Sequence, residues 1–108
     1  MHSPFMTRPS KLAQPAIDTW IAMHSGWASV HENALAKSFE LPDFASALAL
    51  VVRVGLAAEK RDHHPDVQLG FGRATFTWST HDAGGVTQLD IDLAELTEAY
   101  ASALAAPV

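Results

Sequence analysis

The segment from Asp66 to Trp78, DVQLGFGRATFTW, constrains the fold more tightly than any other part of the chain. Val67, Leu69 and Phe71 alternate with polar or small residues, and Ala74, Phe76 and Trp78 do the same. Alternation with a period of two is the signature of a strand with one buried face. Between the runs lies Gly72-Arg73, with glycine at the first central position of a two-residue type II′ turn. That turn predicts an antiparallel hairpin in which Phe71 opposes Ala74, Leu69 opposes Phe76 and Val67 opposes Trp78. One face is then wholly apolar. The other pairs Gly70 with Thr75, Gln68 with Thr77 and Asp66 with Ser79, and a slip of one residue would exchange the two faces.

Helical patterns flank the hairpin. LPDFASALALVVRVGLAAEKR, residues 41–61, predicts a long helix whose first turn suits Pro42 and Asp43, because free N–H groups and the dipole favour an acid there. Phe44, Ala47, Leu48, Val51, Val54 and Ala58 form its expected apolar stripe. Lys60 and Arg61 fall in the last turn, and Pro65 forbids continuation past His64. The apolar run within this helix is too short to span a bilayer, and Arg53 interrupts it.

Upstream, SKLAQPAIDTWIAMH, residues 10–24, repeats Leu12, Ala16, Trp20 and Met23 at helical spacing. Pro15 pushes the helix start toward Gln14, and Gly26 is a natural stop. GWASVHENALAKSFEL, residues 26–41, reads as two short strands around His31-Glu32-Asn33. Past His81, Gly84-Gly85 makes a turn and Thr87 with Asp90 three residues on forms an N-cap arrangement. Leu89, Leu93, Leu96, Tyr100 and Leu104 then run down one face of a last helix. The predicted class is α+β, a four-stranded antiparallel sheet with three helices packed on one face, in the order α-β-β-α-β-β-α. It occupies residues 10–105 as one domain, behind a flexible tail of residues 1–9.

A formal net charge of −5 argues against a nucleic-acid partner, which demands a basic face. With no cysteine, disulfides, thiolate zinc sites and cysteine nucleophiles are excluded, which fits a reducing cytoplasm. The opening MHSPFMTRPSK lacks the apolar stretch of a secretory leader, and nothing predicts a membrane partner.

The chemistry concentrates in histidine. His63 and His64 sit side by side at the C-terminal edge of the long helix, and His81 follows the hairpin. Extending the hairpin register two steps sets His81 opposite His64, where Cβ atoms of opposed residues are about 4.5–5.5 Å apart. Pro65 can break the pleat, so proximity rather than a ladder pair is expected. Histidines at a helix end can cap free carbonyls. Three imidazoles can also bind zinc, although adjacent residues rarely point at one ion. Alternatively they exchange protons without a metal, since imidazole titrates near neutrality.

AEKRDHHPDV, with Phe71 and then STHDAGGVTQLD, resembles the signature of the pterin-4a-carbinolamine dehydratase family. Gly26-Trp27, LPDFASALALVVRV and TQLDIDLA agree with it, and the similarity runs from about residue 10 to residue 100. The resemblance implies a four-stranded antiparallel sheet with three helices. It also implies dehydration of 4a-hydroxytetrahydropterin to quinonoid dihydropterin, a hydro-lyase step in tetrahydropterin recycling that serves aromatic amino-acid hydroxylases and uses no metal or organic cofactor. His63, His64 and His81 match the family's catalytic trio; His64 would take a proton from the ring system, and His63 and His81 would assist departure of the hydroxyl.

By the same resemblance Glu59 and Asp62 match acidic positions near the pterin, Pro65 sets the turn, and Ser79, Thr80 and Trp27 line the pocket. The bland roles are a solvated carboxylate for Glu59, exposed strand residues for Ser79 and Thr80, and core packing for Trp27. Val67, Gly72, Ala83 and Pro15 depart from the common pattern without touching the trio. Homodimers or homotetramers are further implied. So is an alternative role, seen in some relatives, as a non-catalytic dimerisation or assembly cofactor of another protein.

Overall fold

A computed structural model describes residues 10–31 and 33–105; the expected tail, residues 1–9, lies outside the described residues. The elements run α1 (Gln14–Met23), β1 (Ala28–Val30), β2 (Ala34–Glu40), α2 (Phe44–Lys60), β3 (Asp66–Gly70), β4 (Arg73–Trp78), a 3-10 turn (His81–Ala83) and α3 (Gln88–Ala105). The strands form one antiparallel sheet in the order β1-β2-β4-β3. The predicted class and element order are therefore those observed. Among the described residues no helix is long and apolar enough to cross a membrane.

Pro15 stands in the first turn of α1, where its missing N–H has no helical partner to lose. Ile17 is the buried residue of this helix, with Trp20 and Ile21 packed beside it. Ala16 and Met23, expected on the buried stripe, are exposed. The Ile17–Ile21 pair offers more apolar area than an alanine and a terminal methionine, so it sets the rotation of the helix.

In α2 the buried residues are Ala47, Leu50, Val54 and Ala58. Phe44 and Leu48, expected inside, are nearly half exposed, and Leu50 takes the inner position. A sequence that is apolar all round has no unique phase, so packing chooses the buried side. Asp43 is the N-cap; its carboxylate accepts from the Ser46 N–H at 2.7 Å. That hydrogen bond holds the Asp43 carboxyl below its ordinary pKa.

The hairpin differs from expectation by one step. Val67 pairs with Phe76, Leu69 with Ala74 and Gly70 with Arg73, so the loop is Phe71-Gly72. Gly72 takes a positive φ of 65° at the second central position, and Phe71 stands exposed at the tip. Neighbouring structure fixes this register. β2 pairs Leu35 with Trp78 and Phe39 with Ala74, and the Leu41 N–H donates to the Gly72 carbonyl at 2.8 Å. Because each partner moves by two residues, the faces keep their sorting, and Ala74, Phe76 and Trp78 are buried. They join Leu35, Phe39, Leu50, Val54 and Leu93 in the core between sheet and helices. The opposite face is polar, with Ser38 and Thr75 hydroxyls 2.6 Å apart.

Candidate active site

The end of α2 decides where the paired histidines point. Arg61 is its C-cap, and Asp62 adopts the left-handed conformation with φ of 51°. The Asp62 N–H donates to the Glu59 carbonyl and the His63 N–H to the Ala58 carbonyl, both at 3.1 Å. This is a Schellman termination, a position where glycine is commonest and aspartate is one of the few tolerable substitutes. The reversal sends His63 inward and leaves His64 exposed.

His63 is clamped on two sides. Its Nε2 lies 2.5 Å from Asp90 Oδ1, and its ring stacks on Trp78 with centroids 6.0 Å apart and planes 20° apart. Asp90 is fully buried in the first turn of α3. Its second oxygen accepts from the Thr80 hydroxyl at 2.7 Å and the Thr87 N–H at 2.9 Å, and the two threonine hydroxyls lie 3.0 Å apart. A carboxylate only accepts, so Nε2 carries the proton of the neutral imidazole and Nδ1 is its basic nitrogen. Once protonated, the ring forms an ion pair with Asp90.

His64 faces solvent and meets Glu59 through Nε2 and Oε1 at 2.7 Å. Both side chains are more than half exposed, so water screens the pair and its worth lies in orientation more than stability. His81, also exposed, opens the 3-10 turn, which a Thr80–Gly85 bridge closes with hydrogen bonds of 3.0 and 3.2 Å. As expected, the sheet ladder does not pair His64 with His81: β4 ends at Trp78, and its register against β3 is shifted by two residues. The link between the two segments is Thr80 instead. It directly precedes His81, and its hydroxyl shares the carboxylate that holds His63.

The remaining predicted residues divide. Glu59 reaches His64, and Asp62 forms the helix terminus beside His63. Pro65 is half-buried just ahead of β3. Ser79 ties the end of β4 to the β1–β2 turn by donating to the Asn33 carbonyl at 2.7 Å. Thr80 is buried, not on an exposed strand face. Trp27 lies in the core, edge-on to Trp20 and Phe39, with Nε1 donating to Glu98 at 3.1 Å. Among the described residues no three His, Cys, Asp or Glu side chains are grouped to hold a metal ion.

Sequence reasoning treated Asp90 as a helix cap and missed its role as partner of His63. The hint was its chemistry. An aspartate where a capping box usually has glutamate or glutamine is one methylene shorter, and it was equally available to a neighbour. The arrangement as a whole offers a buried imidazole with a fixed tautomer and an exposed imidazole beside a carboxylate. These are two proton-transfer groups in different surroundings, the raw material of general acid–base catalysis.

Comparison with known proteins bears on the same segments. The family model described as pterin 4 alpha carbinolamine dehydratase matches residues 10–100. A protein of Bradyrhizobium sp. (strain BTAi1), provisionally named pterin-4-alpha-carbinolamine dehydratase, is 45% identical over 82 residues, covering 75% of this chain and 83% of its own. A protein of Mesorhizobium japonicum with the same provisional name is 44% identical over 96 residues, covering 88% and 97%. The crystal structure of a transcriptional coactivator/pterin dehydratase from Brucella melitensis superposes with a TM-score of 0.80 at 33% identity, over 85% of this chain and 99% of that one. A pterin dehydratase-like RuBisCO assembly factor of the alpha-carboxysome shares the fold, with a TM-score of 0.61 at 20% identity over 72% and 92%. The chain therefore belongs to the pterin 4 alpha carbinolamine dehydratase family.

Proposed function

We propose that this protein dehydrates a 4a-hydroxytetrahydropterin to the quinonoid dihydropterin by proton transfer among histidines, with His63, His64 and His81 as the catalytic residues. A base removes the proton from the ring nitrogen beside the carbinol carbon. That electron pair forms the C=N bond, and an acid protonates the departing hydroxyl, which leaves as water. No electrons are gained or lost overall. His64, exposed and held by Glu59, suits the base; His81, and His63 in its doubly protonated form by giving up the Nδ1 proton, suit the acids. Glu59, Asp62, Pro65, Ser79, Thr80 and Trp27 are the residues proposed to contact or shape the pterin site.

The observation that carries this reading is the buried His63–Asp90 pair locked by Thr80 and Thr87. A fully buried carboxylate is costly to keep for packing alone, whereas holding an imidazole in one tautomer is what proton transfer requires. The substrate step sits after an aromatic amino-acid hydroxylase that releases the carbinolamine.

The test generates the carbinolamine in place with a phenylalanine hydroxylase and follows its loss by absorbance. The wild-type protein accelerates the decay, and His64→Ala and His81→Ala each lose about 100-fold or more of that acceleration. An unchanged decay on adding wild-type protein overturns the reading in favour of a dimerisation or assembly cofactor.

Self-association belongs to the same proposal. Leu48, Val52 and Leu56 form an exposed apolar stripe on the outer side of α2. A second copy of this chain packed antiparallel about Val52 sets Leu48 against the other copy's Leu56.

A further inference from the structure

α2 and α3 pack against each other, and a groove of about 490 Å³ runs between them. Arg53, Leu56, Lys60 and Arg61 line it from α2 and its C-cap, and Leu96 and Tyr100 line it from α3. Three of the seven Lys and Arg residues of a chain with net charge −5 are thus gathered in one place. All three are exposed, and none makes an ion pair among the described residues. The carboxylates of the two helices are engaged elsewhere. Glu59 meets His64 and Asp90 holds His63, while Asp92 accepts from Gln88, Glu95 from Trp20, and Glu98 from Trp27 and Lys37. The groove therefore offers hydrogen-bond donors and positive charge beside apolar side chains, with no acid of its own to answer them.

We infer that this groove docks an acidic amphipathic helix of a partner protein. Its spacing selects that occupant over a compact anion. Arg53 and Lys60 stand seven residues apart, two helical turns or about 10 Å along the axis, with Leu56 between them on the same face. A single phosphate or carboxylate reaches one end only. A helix with acids seven residues apart and a leucine between them meets both cations and covers Leu56 and Leu96 at once, as helices do in grooves. Charge sets the encounter and the register, and the apolar contact supplies the part of the affinity that salt does not screen. The groove lies beside the outer stripe of Leu48 and Val52 and shares Leu56 with it. Nothing in this inference depends on the dehydratase reading.

The test adds the full-length protein to a fluorescein-labelled helical peptide, with glutamates seven positions apart and a leucine between them, and reads anisotropy. Wild type binds at low salt and more weakly as salt rises. Arg53→Ala/Lys60→Ala binds about fivefold more weakly or worse, with the sedimentation and circular dichroism of wild type. Lys11→Ala/Arg73→Ala removes the same net charge outside the groove and binds as wild type does. A peptide with glutamine for both glutamates loses binding, and one with alanine for the leucine binds more weakly.

No binding up to about 1 mM protein overturns the inference. So does an equal loss in the two double variants, which marks a general effect of charge. Inorganic tripolyphosphate that displaces the peptide, together with undiminished binding of the alanine peptide, overturns it in favour of a small-anion site. Should Arg53→Ala/Lys60→Ala not fold, amide chemical shifts of wild type on adding the peptide decide. Changes confined to α2 and α3 around Leu56 and Leu96 support the groove, and changes elsewhere, or none, overturn it.

Discussion

Asp90 caps its own helix with one oxygen and holds His63 with the other, so a single buried carboxylate couples α3 to the end of α2. Replacing it with asparagine keeps the shape but turns one of its two acceptor oxygens into an NH2 donor, so the donors from His63, Thr80 and Thr87 can no longer all be accepted. Asp90→Asn is expected to lower dehydratase turnover by about 10- to 100-fold and the unfolding free energy in urea by about 1–3 kcal/mol. Asp62 makes a different kind of contribution, through its backbone. A β-branched residue is poorly tolerated at positive φ, so Asp62→Val is expected to cost about 1–2 kcal/mol in urea unfolding, while Asp62→Gly preserves the Schellman geometry and the stability. If Asp62 also contacts substrate, the glycine variant stays folded and loses turnover, which separates the two roles in one measurement.

Among the elements, α2 does most to place the site, and both of its ends are set by aspartates. Asp43 begins it, Asp62 terminates it, and the helix between delivers Glu59 and the two histidines to one edge of the sheet. The Asp43 carboxyl is held below its ordinary value by the Ser46 N–H, a bond the unfolded chain lacks. A depressed folded pKa contributes stability that is complete above the unfolded value of 3.8 and lost as pH falls through the folded value. Thermal melts of wild type and Asp43→Asn from neutral to acid pH test this. The amide caps without titrating, so the difference between the proteins changes below about pH 4 and is flat above it. An identical acid dependence in the two would show that the cap is not the group responsible. The 3-10 turn is the complementary element, carrying His81 on a loop that Thr80 and Gly85 close.

On the scale of the whole molecule, the outer stripe of α2 is an exposed apolar surface, and self-association is its proposed use. Leu56→Glu places a charge at one end of that stripe, on a residue that is 63% exposed and outside the core. Sedimentation is expected to show an oligomer for wild type and a monomer for the variant, with unchanged circular dichroism; equal sedimentation of the two rules α2 out as the interface. The same helix shows where the sequence runs out as a guide. Its existence, its Asp43 start and its stop before Pro65 were legible because caps and breakers are local chemistry. Which side turns inward was not, since Leu48 and Leu50 are equally apolar and only the sheet beneath chooses between them. The hairpin divides in the same way. Period-two alternation identified the buried face of β4, but Val67 and Leu69 on the edge strand β3 and Phe71 at the tip, expected on the same face, are exposed. The register waited on β2 and on the Leu41–Gly72 hydrogen bond. The histidines were legible as a motif. The sequence determined element order, capping and the residue types available for proton chemistry, because these depend on neighbours along the chain. Tertiary structure alone decided that His63 would be buried against Asp90 and Trp78, because that contact joins three elements far apart in sequence and exists only once they pack together.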